Sequence, residues 1–361
     1  MIGTLPEFRQ SRCTRFRFRY SECHRCADAC PHEAITLTDE GARLDEDGCR
    51  HCGLCASACR TGAWESPGFP RLEILRRAAS EPRWSFACAP SGIAADTVVD
   101  CLGVIDASTL AYLSRRAVRV ELRGTGHCDG CVHGARGPAQ VEARLAAVEA
   151  LQAAAGEDWP AISIREEPSA RAGKPGVFAP ERRQLLRKLL DAATATPRAP
   201  EETAPAAPDK AIRAARTFVT DRRQLLQRVA DGRPAVSFKV PRHPAIDALT
   251  LGKTPGCTAC EACFRACPAG AIQVRETESA WSLVFRQHAC VGCEVCLEVC
   301  QPRVLQAQPE VELAPAQPET TIHALRKQRC QRCDRAFVSS RPEQSCPVCA
   351  DDETAFDALF G

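Results

Sequence analysis

The sequence of 361 residues lacks several features that would indicate a membrane protein or a familiar enzyme. No hydrophobic run approaches the roughly 20 residues that a membrane helix needs. Residues 1–12 have neither the apolar core nor the small-residue cleavage site of a secretory signal. The chain has no Gly-rich dinucleotide fingerprint after a strand, no P-loop and no nucleophile elbow. We therefore expect a cytoplasmic protein with no membrane span and no recognised catalytic motif.

The sequence also lacks an excess of either charge. Its 47 Lys and Arg residues against 45 Asp and Glu residues give a net charge of +2, which offers no global reason to expect a nucleic acid partner. Five arginines with no acidic residue among them form a local exception, namely Arg9, Arg12, Arg15, Arg17 and Arg19. Residues 15–20 alternate with period two, which predicts a strand whose basic face docks an acidic redox partner.

Cysteine is the unusual residue, with 24 in the chain. A disulfide framework would need an oxidising compartment, and nothing in the sequence indicates secretion. A reducing compartment and this many thiols together favour bound metal. The cysteines fall into four groups of eight, four, eight and four along the chain.

The third group contains two complete runs with the spacing C-x2-C-x2-C-x3-C. They are Cys257, Cys260, Cys263 and Cys267, followed by Pro268, and Cys290, Cys293, Cys296 and Cys300. These runs resemble bacterial ferredoxins with two [4Fe–4S] clusters, in which the fourth cysteine of each run binds the other cluster. The resemblance implies one cluster on Cys257, Cys260, Cys263 and Cys300 and one on Cys290, Cys293, Cys296 and Cys267. Two zinc knuckles would not account for eight ligands in matched runs.

The first group follows the same pattern with one departure. Its complete run is Cys49, Cys52, Cys55 and Cys59, and here Arg60 replaces the usual proline. The other half reads Cys23, Cys26, Cys30 and Pro31, with Tyr20 at the position of the expected first ligand. The resemblance implies one cluster on Cys49, Cys52, Cys55 and Cys30. It implies another on Cys23, Cys26, Cys59 and a fourth ligand.

Cys13 is the leading candidate for that fourth ligand, because no other cysteine is left over. An extended chain would hold Cys13 roughly 20 Å from position 20 at about 3.3 Å per residue, so the chain must double back. A three-iron cluster on three cysteines and a non-cysteine ligand are the alternatives. His24 and His51 lie beside ligand cysteines, and histidine ligands occur in Rieske centres. Solvent-facing loop histidines are the simpler interpretation.

The second group has no ferredoxin spacing and consists of Cys88, Cys101, Cys128 and Cys131. The pattern of apolar residues predicts strands at 84–88, 97–101, 118–122 and 161–164 and helices at 107–116 and 139–155. Alternating strands and helices favour a small parallel α/β domain, whose ligand sites gather beyond the carboxyl ends of the strands. The four thiols should then converge on one edge and hold a further metal centre, which we expect to be iron–sulfur.

This region is similar to the small iron–sulfur subunits of hydrogenase and heterodisulfide-reductase complexes, in which cysteines decorate an α/β core. Two other interpretations remain open. Cys128 and Cys131 could form a redox dithiol, although Gly134, Gly137 and Pro138 follow instead of an immediate helix start. The group could also hold a structural zinc, and His127 or His133 could replace a cysteine ligand.

The fourth group is a pair of C-x2-C knuckles formed by Cys330, Cys333, Cys346 and Cys349. Two knuckles separated by twelve residues resemble a zinc ribbon. A rubredoxin-type iron site uses the same ligands with a longer insert, so we favour zinc. The metal would contribute folding free energy to a piece too small for its own core, and it would not carry electrons.

The sequence therefore predicts an α+β protein with five parts. They are a ferredoxin-type domain at 8–70, an α/β domain at 71–168, helical segments and a linker at 169–244, a second ferredoxin-type domain at 245–310 and zinc-ribbon knuckles at 322–352. Residues 191–210 are rich in Ala and Pro and read as a semi-rigid linker. The segment Phe178–Leu186 recurs as Phe218–Leu226, and each copy resembles a basic helix start that packs on a neighbouring domain or a partner.

We expect an electron-transfer protein with one zinc and four [4Fe–4S] clusters, or five if the middle group holds one. Its redox partner would supply catalysis, and complexes that handle formate, hydrogen or oxyanions are the expected context by analogy. One alternative is an oxidoreductase that uses a thiol or a cluster of the α/β domain. Another is a redox-sensing or assembly factor whose arginine patch and zinc ribbon bind a macromolecule, with salt-dependent nucleic acid binding as its sign.

Overall fold

The computed structural model describes residues 4–167, 210–231, 237–315 and 319–360. We refer to residues 4–70 as the N-terminal module, to 71–167 as the middle domain and to 237–315 as the C-terminal module. The first copy of the repeat, Phe178–Leu186, lies outside the described residues, as does the predicted linker at 191–210 apart from Lys210. No helix within the described ranges is long and apolar enough to cross a membrane.

The N-terminal module is small and has few regular elements. Strand Glu7–Phe8 pairs antiparallel with Trp64–Glu65, so both ends of the module lie side by side. A hairpin joins Ile35–Thr38 to Gly41–Leu44. Gly41 has a φ of +117°, and a Cβ there would lie 2.8 Å from the Phe8 ring, so the turn requires glycine. The helices are short, spanning Thr14–Arg17, Arg25–Asp28 and Leu54–Ala58.

The predicted strand at 15–20 is wrong. A 3-10 turn at Gln10–Arg12 leads into the helical turn Thr14–Arg17, and Phe18 makes a single β-bridge to Ile212. In this turn the side chain of Arg17 lies inside the protein, where it donates to the carbonyl of Ser11 at 2.8 Å. The chain therefore doubles back immediately after Cys13.

The middle domain contains a four-stranded parallel sheet, which confirms the predicted α/β domain. Its strands lie in the order Thr97–Val99, Arg83–Cys88, Arg119–Arg123 and Ser163–Arg165. Its helices span Arg71–Ala78, Ala107–Arg115 and Arg136–Ala155. The central strand is buried from Trp84 to Cys88, because helices cover both faces of a parallel sheet. Asp106 caps the second helix by accepting from the backbone N of Thr109 at 3.0 Å.

The helix Asp221–Ala230 holds the three larger parts of the chain together, and it confirms the helix predicted from the second copy of the repeat. The Thr220 hydroxyl caps it by accepting from the backbone N of Arg223 at 3.3 Å. Its apolar face, with Leu226 fully buried, belongs to the core of the middle domain. Arg222 donates to carbonyls of the N-terminal module, and Arg223 donates to the Gln287 carbonyl of the C-terminal module at 2.9 Å.

The C-terminal module is built on an antiparallel sheet that continues into the last segment of the chain. Its four strands are Ile272–Glu276, Ala280–Phe285, Thr320–Arg329 and Ala336–Ser339. Two smaller pairs join Leu251–Lys253 to Leu305–Ala307 and Phe238–Pro241 to Glu310–Leu313. The helices span Ala262–Ala266, Val295–Glu298 and Pro347–Phe360. The last knuckles are thus attached to the sheet of this module, which the sequence pattern does not predict.

Candidate metal centres

The cysteines of the C-terminal module come together in two sets that each draw on both runs. Burial raises the pKa of Cys263 to about 12, and the nearby thiols that raise it further are Cys300, Cys260 and Cys257. Burial also raises the pKa of Cys296. The nearby thiols Cys293, Cys290 and Cys267 raise it further, and Cys263 of the other set has the smallest effect. The structure therefore brings together the two crossed sets that the resemblance implies, and it places them next to each other.

The N-terminal module repeats this arrangement and includes Cys13. Burial raises the pKa of Cys26 to about 12, and the thiols that raise it further are Cys59, Cys13 and Cys23. These four cysteines also line one narrow cavity. The neighbours of Cys55 include the other three members of the second set, Cys52, Cys49 and Cys30. Cys13 thus reaches the position that Tyr20 leaves without a thiol.

The three complete runs share a backbone conformation that suits a negatively charged group. In each run, the residue before the second cysteine and the residue after it are left-handed. Their φ values are 60° at His51 and 73° at Gly53, 54° at Ala259 and 59° at Glu261, and 67° at Gly292 and 71° at Glu294. Such alternation forms backbone N–H nests that bind anions, iron–sulfur groups among them. A non-glycine residue in this conformation costs on the order of 1–3 kcal/mol, so the geometry fits a bound cluster better than an empty loop.

Backbone donors also reach the sulfur that closes the first run of each module. The Sγ of Cys30 accepts from the backbone N of Ala34 at 3.4 Å. The Sγ of Cys267 accepts from the backbone N of Ala271 at 3.3 Å in the equivalent position of the other module. Hydrogen bonds to ligand sulfurs tune the reduction potential of a cluster. The two modules therefore share this feature as well as their cysteine spacing.

The four cysteines of the middle domain line one cavity of about 430 Å³ beyond the carboxyl ends of the strands. Burial raises the pKa of Cys101 to about 12, and its thiol neighbours are Cys52, Cys88 and Cys131. Among the described residues, two buried nitrogens on this cavity lack a partner, Nδ1 of His127 and Nε2 of His133. Converging sulfurs, free space and unpaired nitrogens fit a bound metal group. The predicted convergence at the sheet edge is thus what the structure shows.

The middle site also touches the N-terminal module. Cys101 and Cys52 lie in the same small apolar cluster as Leu54. Nε2 of His32 lies 3.1 Å from Nδ1 of His133. A Cβ at Gly137 would lie 2.7 Å from the Cys101 sulfur, so the helix can approach this site only with glycine there. The prediction that no helix follows Cys131 at once holds, since the helix begins at Arg136.

The last four cysteines form a different kind of site. The ligand atoms of Cys330, Cys333, Cys346 and Cys349 all lie within 4.8 Å of one another. A tetrahedral ion with bonds of about 2.3 Å to sulfur sets its ligands about 3.8 Å apart, and the sulfurs of Cys333 and Cys346 are 3.8 Å apart. The backbone N of Cys346 donates to the Cys330 sulfur at 3.2 Å, and this bond is the main cause that lowers the pKa of Cys330 to about 6. The site fits one metal ion.

The histidines named as alternative ligands differ in their distance from the cysteine sites and in their exposure. His24 is exposed and faces Asp28, with Nε2 3.4 Å from the carboxylate. Nε2 of His127 lies 3.6 Å from the Cys88 sulfur, so His127 borders the middle site. His51 occupies one of the left-handed positions beside Cys52, where its backbone N lies 3.5 Å from the Cys49 sulfur.

The predicted basic face of a strand is wrong, because Thr14–Arg17 is helical and the arginines of this segment bind groups of this chain. Arg12 pairs with Glu65, and Arg19 pairs with Asp39 at 3.0 Å. Arg15 donates to the Ser21 carbonyl at 2.8 Å. Arg17 is buried and donates to the Cys267 carbonyl at 3.3 Å, so it joins the two modules. The sequence shows the cluster of arginines but not the carbonyls and carboxylates that neutralise it.

Known proteins share the two modules that carry the paired cysteine sets. Two stretches, residues 21–63 and 256–305, match models of the 4Fe-4S dicluster domain. A stretch of 57 residues is 44% identical to formate hydrogenlyase subunit 2 of Escherichia coli (strain K12). The subunits of Escherichia coli O6:H1 and Shigella flexneri give the same identity. This stretch covers 14% of the present chain and 28% of each relative.

The chain therefore contains two ferredoxin-type domains of the 4Fe-4S dicluster kind. The match to the N-terminal module begins at residue 21, so it does not test whether Cys13 is a ligand. The two matches also leave out the middle domain and the last four cysteines. The chain spans just over a quarter of the length of the curated relatives it matches, 28% in each case.

Proposed function

We propose that this protein is an iron–sulfur electron-transfer subunit that carries electrons to or from a larger redox enzyme. The observation that supports this most strongly is the pair of crossed cysteine sets in each ferredoxin-type domain, with left-handed loops around them. A bound [4Fe–4S] cluster supplies reversible one-electron chemistry. The chain supplies the ligands, the surrounding apolar core and the hydrogen bonds that set each potential.

We assign four clusters to sixteen cysteines, one to each crossed set. The sets are Cys13, Cys23, Cys26 and Cys59; Cys30, Cys49, Cys52 and Cys55; Cys267, Cys290, Cys293 and Cys296; and Cys257, Cys260, Cys263 and Cys300. A fifth iron–sulfur group in the middle domain would use Cys88, Cys101, Cys128 and Cys131. Zinc would take Cys330, Cys333, Cys346 and Cys349 as a structural ion. All 24 cysteines lack disulfide bonds, which suits a reducing compartment such as the cytoplasm.

The larger enzyme is the partner that this arrangement requires. The similarity to a formate hydrogenlyase subunit supports a role within a multi-subunit redox complex, although it covers only 57 residues. Half of the sixteen cluster ligands are buried, which limits the places where an external protein can approach a cluster closely. Cys260 is the exposed ligand of the C-terminal module, so we place one contact with the redox partner there.

A stepwise reductive titration under anaerobic conditions tests the proposal. Each cluster accepts one electron, so the chain should take up about four electrons, or about five if the middle site holds a cluster. Optical bleaching and EPR signals should develop together during the titration. Uptake of two electrons or fewer would contradict the assignment of four clusters.

A second candidate function is an oxidoreductase whose reaction takes place in the middle domain. The cavity of about 430 Å³ beside Cys88 and Cys128 favours it, because its volume falls in the range of small-molecule sites. An added substrate candidate should then perturb the EPR signal of the middle site alone. If formate, hydrogen and small oxyanions all leave that signal unchanged, the cavity is only the space for the metal group.

A further inference from the structure

One cysteine of the C-terminal module faces a site of the N-terminal module. Cys293 lines the same cavity as Cys13, Cys23, Cys26 and Cys59, and this cavity measures only about 30 Å³. Cys23 is also among the thiols that raise the pKa of Cys293, after burial. Arg60 lines this cavity as well. The cavity therefore brings a cysteine of the C-terminal module next to a cysteine set of the N-terminal module.

Arg60 bridges the two modules at this point. It follows Cys59 directly and is only 5% exposed. Its guanidinium donates to the Gly292 carbonyl, in the loop that joins Cys290 to Cys293, and to the Pro244 carbonyl at 2.7 Å. A Cβ at Gly292 would lie 2.8 Å from Arg60 Nη1, so that loop fits around the guanidinium. A proline at this position, as in the usual ferredoxin run, would leave these carbonyls without their donor.

The charge around Arg60 is positive overall. Glu294 pairs with Arg25 and Arg60, both at 3.6 Å, and with Arg242 at 2.8 Å. Asp247 pairs with Arg60 at 3.8 Å and with Arg222 at 3.0 Å. Four arginines thus share two carboxylates, an excess of two positive charges next to Cys59 and Cys293. Arg60 and Arg222 are the buried members of this network, with side chains only 5% and 4% exposed, and buried charge of one sign is costly unless negative groups lie close by.

We propose that electrons cross between the two ferredoxin-type domains past Arg60, and that its charge raises the reduction potential of the site on each side. The inference rests on the proposed electron-transfer function. In the step, one electron leaves the reduced site and enters the oxidised one, so one is oxidised and the other reduced without a bond or a proton changing hands. An external donor protein supplies the electron. Arg60 is a positioning residue that orients the Gly292 loop and favours the more negative, reduced state on both sides.

Substitution of Arg60 tests the inference through reduction potentials. Arg60→Gln removes the charge and keeps a side-chain donor, so two of the four ferredoxin-type clusters should become harder to reduce by about tenfold each. That change is about 59 mV for one electron. Arg60→Lys keeps the charge and should leave these potentials within about a third of that shift. EPR-monitored redox titration gives the potentials, and iron analysis confirms that all clusters are present.

Glu294→Gln provides a second test that leaves the Arg60 side chain in place. It removes a negative charge from the same network, so the same two clusters should become easier to reduce. Glu261 is the matched control, because it occupies the equivalent left-handed position after Cys260 and its side chain is also 24% exposed. Its partner is Arg265 within its own module, at 2.9 Å. Glu261→Gln should therefore shift one cluster and not two.

The possible results separate this inference from the proposed function. Opposite shifts of two clusters in Arg60→Gln and Glu294→Gln, and a shift of one cluster in Glu261→Gln, support the crossing point. If the Arg60→Gln variant has lost iron, the potentials of the Glu294→Gln variant alone decide whether the inference holds. Full iron content with unchanged potentials in Glu294→Gln would overturn the inference and leave the electron-transfer function standing. A wild-type chain with only half of the expected iron would instead contradict the proposed function itself.

Discussion

Arg222 is the residue whose loss should separate the modules most clearly. It is buried, its Nε lies 3.0 Å from the carboxylate of buried Asp247, and its guanidinium donates to the carbonyls of Ser57 and Cys59. Removing one partner of a buried ion pair costs about 3–5 kcal/mol, and Asp247 would keep only its longer contact to Arg60, at 3.8 Å. Arg222→Met keeps the packing volume and removes only the charge and the donors. We expect it to destabilise the holoprotein by that amount.

Urea unfolding of the holoprotein, followed by the absorbance of the clusters, measures this effect. With a denaturant dependence of about 3 kcal/mol/M, the loss corresponds to a midpoint lower by about 1–2 M. Arg228→Met is the matched control, because Arg228 is exposed on the same helix. It should change stability by less than about 0.5 kcal/mol. Equal midpoints for the two variants would refute the reasoning that Arg222 holds the N-terminal module to the helix.

Three further predictions concern single sites. Cys13→Ala should alter one EPR signal and lower the iron content by one to four atoms, and an unchanged spectrum would exclude Cys13 as a ligand. Cys333→Ser should abolish zinc binding in metal analysis and leave every EPR signal intact, because that site carries no electron. Thr220→Ala should lower the free energy of unfolding by about 1 kcal/mol through loss of the helix cap, as measured by the same urea unfolding, and an unchanged midpoint would contradict the role of this cap.

The ferredoxin-type domains could be predicted from the sequence because their ligand spacing follows from the geometry of the cluster. Three cysteines on one short loop and a fourth that leaves it fix the local backbone, whatever the rest of the chain does. The strands and helices of the middle domain could be predicted for a related reason. Trp84–Cys88 is an apolar run of strand length, and Ala139–Ala155 is too long and too rich in alanine for a strand.

The contacts between modules could not be predicted in this way. Alternation at residues 15–20 is typical of a strand, but Arg17 donates to the carbonyls of the distant residues Cys267 and Ala215, and such tertiary bonds override the local pattern. The sequence shows that Arg60 replaces the usual proline. It does not show that Arg60 contacts Gly292, since 232 positions separate the two residues. The same holds for the extension of the C-terminal sheet by Thr320–Arg329, which depends on pairing with Ala280–Phe285.

Metal analysis of anaerobically purified protein, read together with its EPR spectrum, tests the central claim most directly. Four clusters require roughly sixteen irons per chain, and a fifth in the middle domain raises the number to about twenty. We expect one of these two values, with one zinc and with EPR signals from interacting reduced clusters. An iron content near eight would contradict the account, because one of the two ferredoxin-type domains would then hold no clusters.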